Sequence, residues 1–181
     1  MKSFTTLITI GLISSTHAAP WGGGHLGDFW GIFNPTKCLN PQTAQYLVDG
    51  FGGLISNYTT ANAEKYLGDN FTDISDSINS LSGQPVGSVT FPSKQAFEAG
   101  QGSQPHVPFQ LLAIDAVTCD TIALRWVAGL QPEPAKGITI LKAENPKRQK
   151  DTWQIKTIYT EFNSIAWLKD IGGNVTLPNF G

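Results

Sequence analysis

Four strand-like runs follow one another in the second half of the chain: Phe109–Thr118, Thr121–Leu130, Lys136–Ala143 and Thr152–Phe162. Their joins are short: Cys119-Asp120, then Gln131 to Ala135, then the polar stretch Asn145 to Asp151. Connections this brief leave no room for crossover helices, so consecutive runs must pair antiparallel as a meander. Helical signals precede them. Asn40-Pro41 supplies an N-cap and a first-turn proline, and Leu47, Phe51, Leu54, Ile55 and Tyr58 recur at helical spacing, giving a helix over 41–57. A second, over 62–67, ends at Gly68; a third, over 94–99, starts from Ser93 and ends at Gly100. A short strand is expected from Phe71 to Ser77. Helices first and sheet second define an α+β domain.

Glycines 50, 52 and 53 lie inside the first helix, where each costs about 1 kcal/mol relative to alanine. They imply either close packing or room for a ligand. With hairpins free of bulges, Arg125 falls opposite Ile114 and Leu141, and Leu141 beside Ile155. One sheet face then collects Leu112, Ile114, Arg125, Val127, Leu141, Trp153, Ile155, Tyr159 and Glu161. The other collects Phe109, Leu111, Val117, Ile122, Leu124, Trp126, Ile138, Ile140, Ile158 and Phe162. Both faces are too apolar to be left in water. Helices are expected over one, and the curl of the sheet or a second copy, as a homodimer through the sheet face, over the other.

Lys2 and the apolar run Phe4–Ile13, followed by Thr16-His17-Ala18, read as a secretory signal peptide over 1–18. The run is too short to span a bilayer, which takes about 20 residues, so no membrane insertion is expected. A Gly/Trp-rich arm over 19–37 follows, and a tail over 173–181 closes the chain. Secretion fits the even cysteine count: Cys38 and Cys119 read as one disulfide, with two free buried thiols as the alternative. It also fits three glycosylation sequons, at Asn57, Asn70 and Asn174. Only 14% of the 181 residues are charged, and the net charge is −2, which gives no field to hold a nucleic-acid backbone. Without the signal, His25 and His106 are the only histidines, too few for a zinc site beside paired cysteines, and no Gly-x-Ser-x-Gly elbow accompanies them. No metal or other cofactor is called for.

Phe71-Thr72-Asp73-Ile74-Ser75-Asp76-Ser77, the stretch Phe91–Phe109 and the stretch Ile158–Gly172 resemble secreted NTF2-like (SnoaL-like) domain proteins of filamentous fungi. The resemblance spans residues 38–172. It implies a cone of three N-terminal helices packed on a strongly bent antiparallel sheet, with the segment Asn163–Lys169 near the mouth and Trp167 as its lid. It also puts Asp73 in the region where isomerase relatives carry an acid-base carboxylate. Strand alternation agrees, because an inward Phe71 places Asp73 on the same face.

These readings point to a secreted protein that encloses a small apolar molecule. Arg125, Tyr159 and Glu161 would orient that ligand, and Phe51, Trp126, Trp153, Phe162 and Trp167 would supply aromatic contact. An alternative is a cofactor-independent lyase, isomerase or cyclase acting on a polyketide or terpenoid. In it Asp73 or Glu161 is the general base, and Tyr159 or Arg125 steadies an enolate-like oxygen. A third is an extracellular interaction protein using the aromatic arm and an exposed sheet face.

Overall fold

The computed structural model describes residues 37–176. The signal peptide, all but the last residue of the arm, and the end of the tail lie outside the described residues. Two helices lead: α1 (Pro41–Ser56) and α2 (Thr60–Tyr66). Strand β1 (Leu67–Ile74) follows, then α3 (Asp76–Ser82) and α4 (Lys94–Gln101). Next come the meander β2 (Phe109–Val117), β3 (Thr121–Ala128), β4 (Ala135–Glu144) and β5 (Gln154–Phe162), and α5 (Ser164–Asp170). Asn40 Oδ1 accepts from the Thr43 amide at 2.8 Å, and Ser93 Oγ from the Ala96 amide at 3.1 Å, so both expected N-caps start their helices. Helices α3 and α5 were not expected. Their caps, Ser75 and Asn163, accept from the amides of Ile78 and Ala166.

The five strands run in the order β1-β5-β4-β3-β2. The meander pairs antiparallel, but β1 lies parallel to β5, so the sheet is mixed. A parallel neighbour requires a long crossover, and here everything from α3 to β4 provides it. The expected register is corrected at each hairpin. Arg125 faces Ala113 and Ile138, and Leu141 faces Ile122 and Ile158. In β3–β4 the slip is odd, which exchanges the two faces of β4. Leu141 is therefore fully buried, whereas Ile138 is 58% exposed and Ile140 is also on the outside. Irregularities between Leu111 and Ala113, and between Ile114 and Ala116, shift the β2 pairing further.

The core fills the inner face of the sheet. Ile122, Leu124 and Trp126 on β3 meet Leu141 on β4 and Ile155 and Ile158 on β5. Ala44, Leu47, Val48, Phe51 and Leu54 of α1 close over them. Two of the three α1 glycines make room for aromatic rings, while a Cβ on Gly53 would meet nothing within 4 Å. A Cβ on Gly50 would stand 2.3 Å from the Tyr66 ring, and one on Gly52 would stand 2.7 Å from that of Phe109. Helix α4 is anchored by Lys94, whose buried ammonium lies 2.7 Å from Glu64 and 3.6 Å from Asp69. No helix of the described residues is long and apolar enough to cross a membrane.

Cys38 and Cys119 form a disulfide, 81 positions apart in sequence. Beside it the Leu39 amide donates to the Cys119 carbonyl at 2.9 Å, so the entry to α1 is stapled to the β2–β3 turn. Closing so long a loop restricts the unfolded chain. Replacing both cysteines by serine is expected to lower unfolding free energy by about 2–4 kcal/mol in denaturant titrations. An unchanged midpoint would show that the bond contributes nothing.

Candidate functional site

Asp73 is the chemically exceptional residue of the domain. Along β1, Phe71 and Asp73 alternate inward and are buried, as is Ser75 just beyond the strand. The Asp73 backbone is held from both sides. Its Cα pairs with Ile158 of β5, while its amide donates to the Phe91 carbonyl at 2.9 Å. Its carbonyl in turn accepts from the amides of Thr90 and Phe91. The carboxyl group thus held is 2% exposed, and its Oδ1 has no hydrogen-bond partner. Burial raises its pKa from 3.8 to about 7, and the negative charge of Glu161 adds to the shift.

Asp73 lines an inner cavity of about 60 Å³. Phe51, Phe91, Phe97, Trp126 and Phe162 surround it with rings, and Gln101 and Thr160 are its uncharged polar members. Thr160 ends a hydroxyl chain across the inner face. The Trp126 indole donates to Thr139 Oγ1 at 2.8 Å, and Thr139 Oγ1 lies 2.6 Å from Thr160 Oγ1. Either threonine hydroxyl can donate in that contact, and in the arrangement where Thr139 donates, the Thr160 hydroxyl hydrogen is free for the cavity.

A wider groove of about 410 Å³ adjoins the cavity. Ile78, Phe91, Gln101 and Phe162 line both and form the shared wall. Leu81 of α3, Val107, and Trp167 and Ile171 at α5 give the groove its apolar surface, while Ser82, Gln84, Ser103 and Gln104 give it a neutral polar rim. Among the described residues lining cavity and groove, Asp73 is the only ionisable one.

The structure separates the other expected site residues. Phe51, Trp126 and Phe162 line the cavity, and Trp167 lines the groove, its ring centroid 4.9 Å from that of Phe162. Trp153 lines a different, polar groove beside Tyr46 and Lys65. Arg125 and Tyr159 do not reach the cavity. Arg125 makes a paired contact with Asp115, 2.8 Å at both nitrogens, on the solvent side of the sheet. Tyr159, 42% exposed, faces the same way. Glu161 follows Thr160, so strand alternation turns it away from the cavity. Its carboxylate caps α3 instead, accepting from the amides of Asp76 and Ser77 at 2.8 Å each and from the Ser77 hydroxyl. Negative charge at a helix N-terminus is favourable, which gives Glu161 a structural role. His106 is tied to the Ser56 carbonyl at 3.1 Å.

Phe91, Phe97, Gln101 and Thr160 belong to the site without having been expected there. Phe97 and Gln101 stand one helical turn apart on α4, a signal the sequence did carry. Thr160 stands between Ile158 and Phe162 on alternating positions of β5, a signal masked by the expectation that Glu161 points into the pocket. Phe91 pairs with Asp73 as an isolated bridge, which has no periodicity to reveal it.

A mixed five-stranded sheet, covering helices and an inward carboxylate are the setting for the comparison with known proteins. The NTF2-like domain family matches residues 37–174. The chain belongs to that family. No curated protein matches it. Among solved structures it is similar to IdmH of Streptomyces antibioticus, a candidate polyketide cyclase, at 12% identity and TM-score 0.52 over 71% of this chain and 98% of that one. It is also similar to a hypothetical protein of Catenulispora acidiphila with a ketosteroid isomerase-like fold, seen in complex with trimethylamine. There identity is 11% and the TM-score 0.51, over 71% of this chain and 93% of that one. At these identities the likeness is one of fold alone.

The buried carboxyl has a consequence for stability. Because the folded pKa of Asp73 lies above the unfolded one, the folded state binds its proton more tightly. The resulting stabilisation is complete below about pH 4 and is lost as pH rises to about 7, at up to roughly 1.4 kcal/mol per pH unit. Asp73→Asn is expected to remove this dependence and to be more stable than the parent at about pH 8. Parallel pH profiles for the two proteins would contradict it.

Proposed function

We propose that the chain is a secreted NTF2-like domain that binds one small, largely apolar molecule. The body of the ligand occupies the groove, and one end reaches through the shared wall to Asp73. One observation carries this reading: a groove with no ionisable group among its described lining residues shares a wall with a cavity whose single ionisable group is a buried carboxylate with an unpartnered oxygen. Trp167 and Phe162 supply apolar area to the ligand, and the amides and hydroxyls of the rim orient it. Secretion is supported by the disulfide and by the exposure of Asn57, Asn70 and Asn174, the sequon residues. Nile red, a neutral dye that brightens in apolar surroundings, is the probe. Parent protein is expected to enhance its fluorescence, and Trp167→Ala to weaken binding about 5- to 20-fold. No enhancement, or equal binding by the variant, would overturn the reading.

The pKa of Asp73 favours a second reading, cofactor-free proton transfer as in an isomerase, dehydratase or cyclase. Near neutral pH the carboxylate can accept a proton from carbon next to a carbonyl and return it elsewhere. The Thr160 hydroxyl and the Gln101 amide are the neutral donors available to the developing oxyanion. This reading predicts that the protein speeds deuterium uptake from D2O at the α-carbon of a cyclic enone. Asp73→Asn is expected to slow that uptake by about 100-fold or more. Uptake equal to the buffer rate would sink it.

A further inference from the structure

The inner cavity joins a single formal charge, that of a carboxylate, to a wall rich in aromatic rings. Asp73 brings a carboxylate, and Phe51, Phe91, Phe97, Trp126 and Phe162 bring π systems whose faces are electron-rich. No lysine, arginine or histidine is among the described residues lining it. An anionic head meets no counter-charge there and is repelled by Asp73. A neutral donor satisfies Oδ1 but gains nothing special from the rings. A compact cation gains from both, and it supplies the partner that a buried carboxylate otherwise lacks.

Size narrows the choice. At about 10–15 Å³ for each water-sized group, a cavity of about 60 Å³ holds on the order of four to six such groups. A bare metal ion would leave most of that space empty and would find one carboxylate where such ions take several oxygen ligands. A guanidinium carries five or more N–H donors, more than the carboxylate of Asp73 and the oxygens of Thr160 and Gln101 have acceptor atoms for, and a primary ammonium, whose three N–H groups those oxygens could meet, has no methyl groups to lay against the rings. A trimethylammonium or tetramethylammonium group fits the volume, buries its methyls against rings and needs only one counter-charge. We infer that the inner cavity is a recognition site for the alkylated ammonium head of the ligand, with Asp73 as counter-ion and the phenylalanine and tryptophan rings as its cage.

This inference rests on the ligand-binding reading and names the head group that the ligand carries. The adjoining neutral groove holds the remainder of the molecule, so the ligand class is an apolar tertiary or quaternary amine. The π faces distinguish such a head from other cations, because methyl groups spread the charge over a surface that rings can cover. Glu161 is the charged neighbour beyond the cavity wall, and its carboxylate is engaged by α3.

The test uses the full chain and two probes of similar size, tetramethylammonium chloride and tert-butanol, titrated by calorimetry and by NMR at about pH 8. Sodium chloride at equal ionic strength serves as the salt control. Tetramethylammonium is expected to bind about tenfold or more tightly than tert-butanol, and Asp73→Asn to abolish that preference. Phe91→Leu, a conservative change of one cage ring, is expected to weaken the ammonium alone. If Asp73→Asn does not fold, the parent protein gives the same answer. Protonating Asp73, the only ionisable residue among the described residues lining the cavity, by lowering the pH to about 6 should reduce or abolish the preference for the ammonium over tert-butanol. Equal affinities for the two probes, or a preference that survives in Asp73→Asn, overturn the head-group assignment. Absence of binding by tetramethylammonium overturns it too. Nile red separates the two levels: if the dye still binds through Trp167, only the ammonium inference falls, and if it does not, the ligand-binding reading has failed first.

Discussion

The site depends on how the backbone of Asp73 is held. A carboxylate with an unpartnered oxygen would normally swing toward water, because burying it costs several kcal/mol. Here the main chain leaves no such freedom. On one side β1 pairs with β5 at Ile158, and on the other the segment Thr90–Phe91 binds both the amide and the carbonyl of Asp73. Inward alternation with Phe71 and Ser75 then fixes where the side chain goes. The ladder holds the strand, and the carboxyl group is carried into the core with it.

The remaining architecture determines how much room that carboxyl group has. Trp126 reaches across the inner face, its indole clasped by Thr139 and its ring lying so close to Gly137 that a Cβ there would stand 2.3 Å away. Together with Phe51 and Phe162 it borders the small cavity at Asp73. Helices α3, α4 and α5 surround the opening. The Glu161 cap fixes α3, the Lys94–Glu64 pair fixes α4, and Trp167 of α5 packs on Phe162. Two groups expected in the pocket chemistry, Glu161 and Arg125, thus serve structural contacts. The pocket retains one charge.

Local signals in the sequence were readable where the physics is local. Asn40 and Ser93 start helices because their side-chain oxygens reach backbone amides three residues on, and the spacing of Leu47, Phe51 and Leu54 writes the buried face of α1 directly. The inward position of Asp73 followed from its distance to Phe71. What failed required knowledge of long-range partners. The hairpin registers depend on bulges in β2 and on where β3 ends, and an odd error is enough to turn Ile138 and Ile140 outward and Leu141 inward. The role of Glu161 was hidden because α3, the helix it caps, reads as the end of a strand in Asp73-Ile74-Ser75-Asp76-Ser77. Phe91 was hidden because a single bridge leaves no pattern.

The central claim is that a backbone-locked carboxyl group titrates near neutrality inside an aromatic cavity. The most direct measurement is the carboxyl-carbon NMR chemical shift of Asp73 followed through a pH titration, assigned by its loss in Asp73→Asn. The account predicts a midpoint near 7 that moves down when a cationic ligand binds. A midpoint near 3.8 would mean that water or a partner reaches the carboxylate, and would contradict the account.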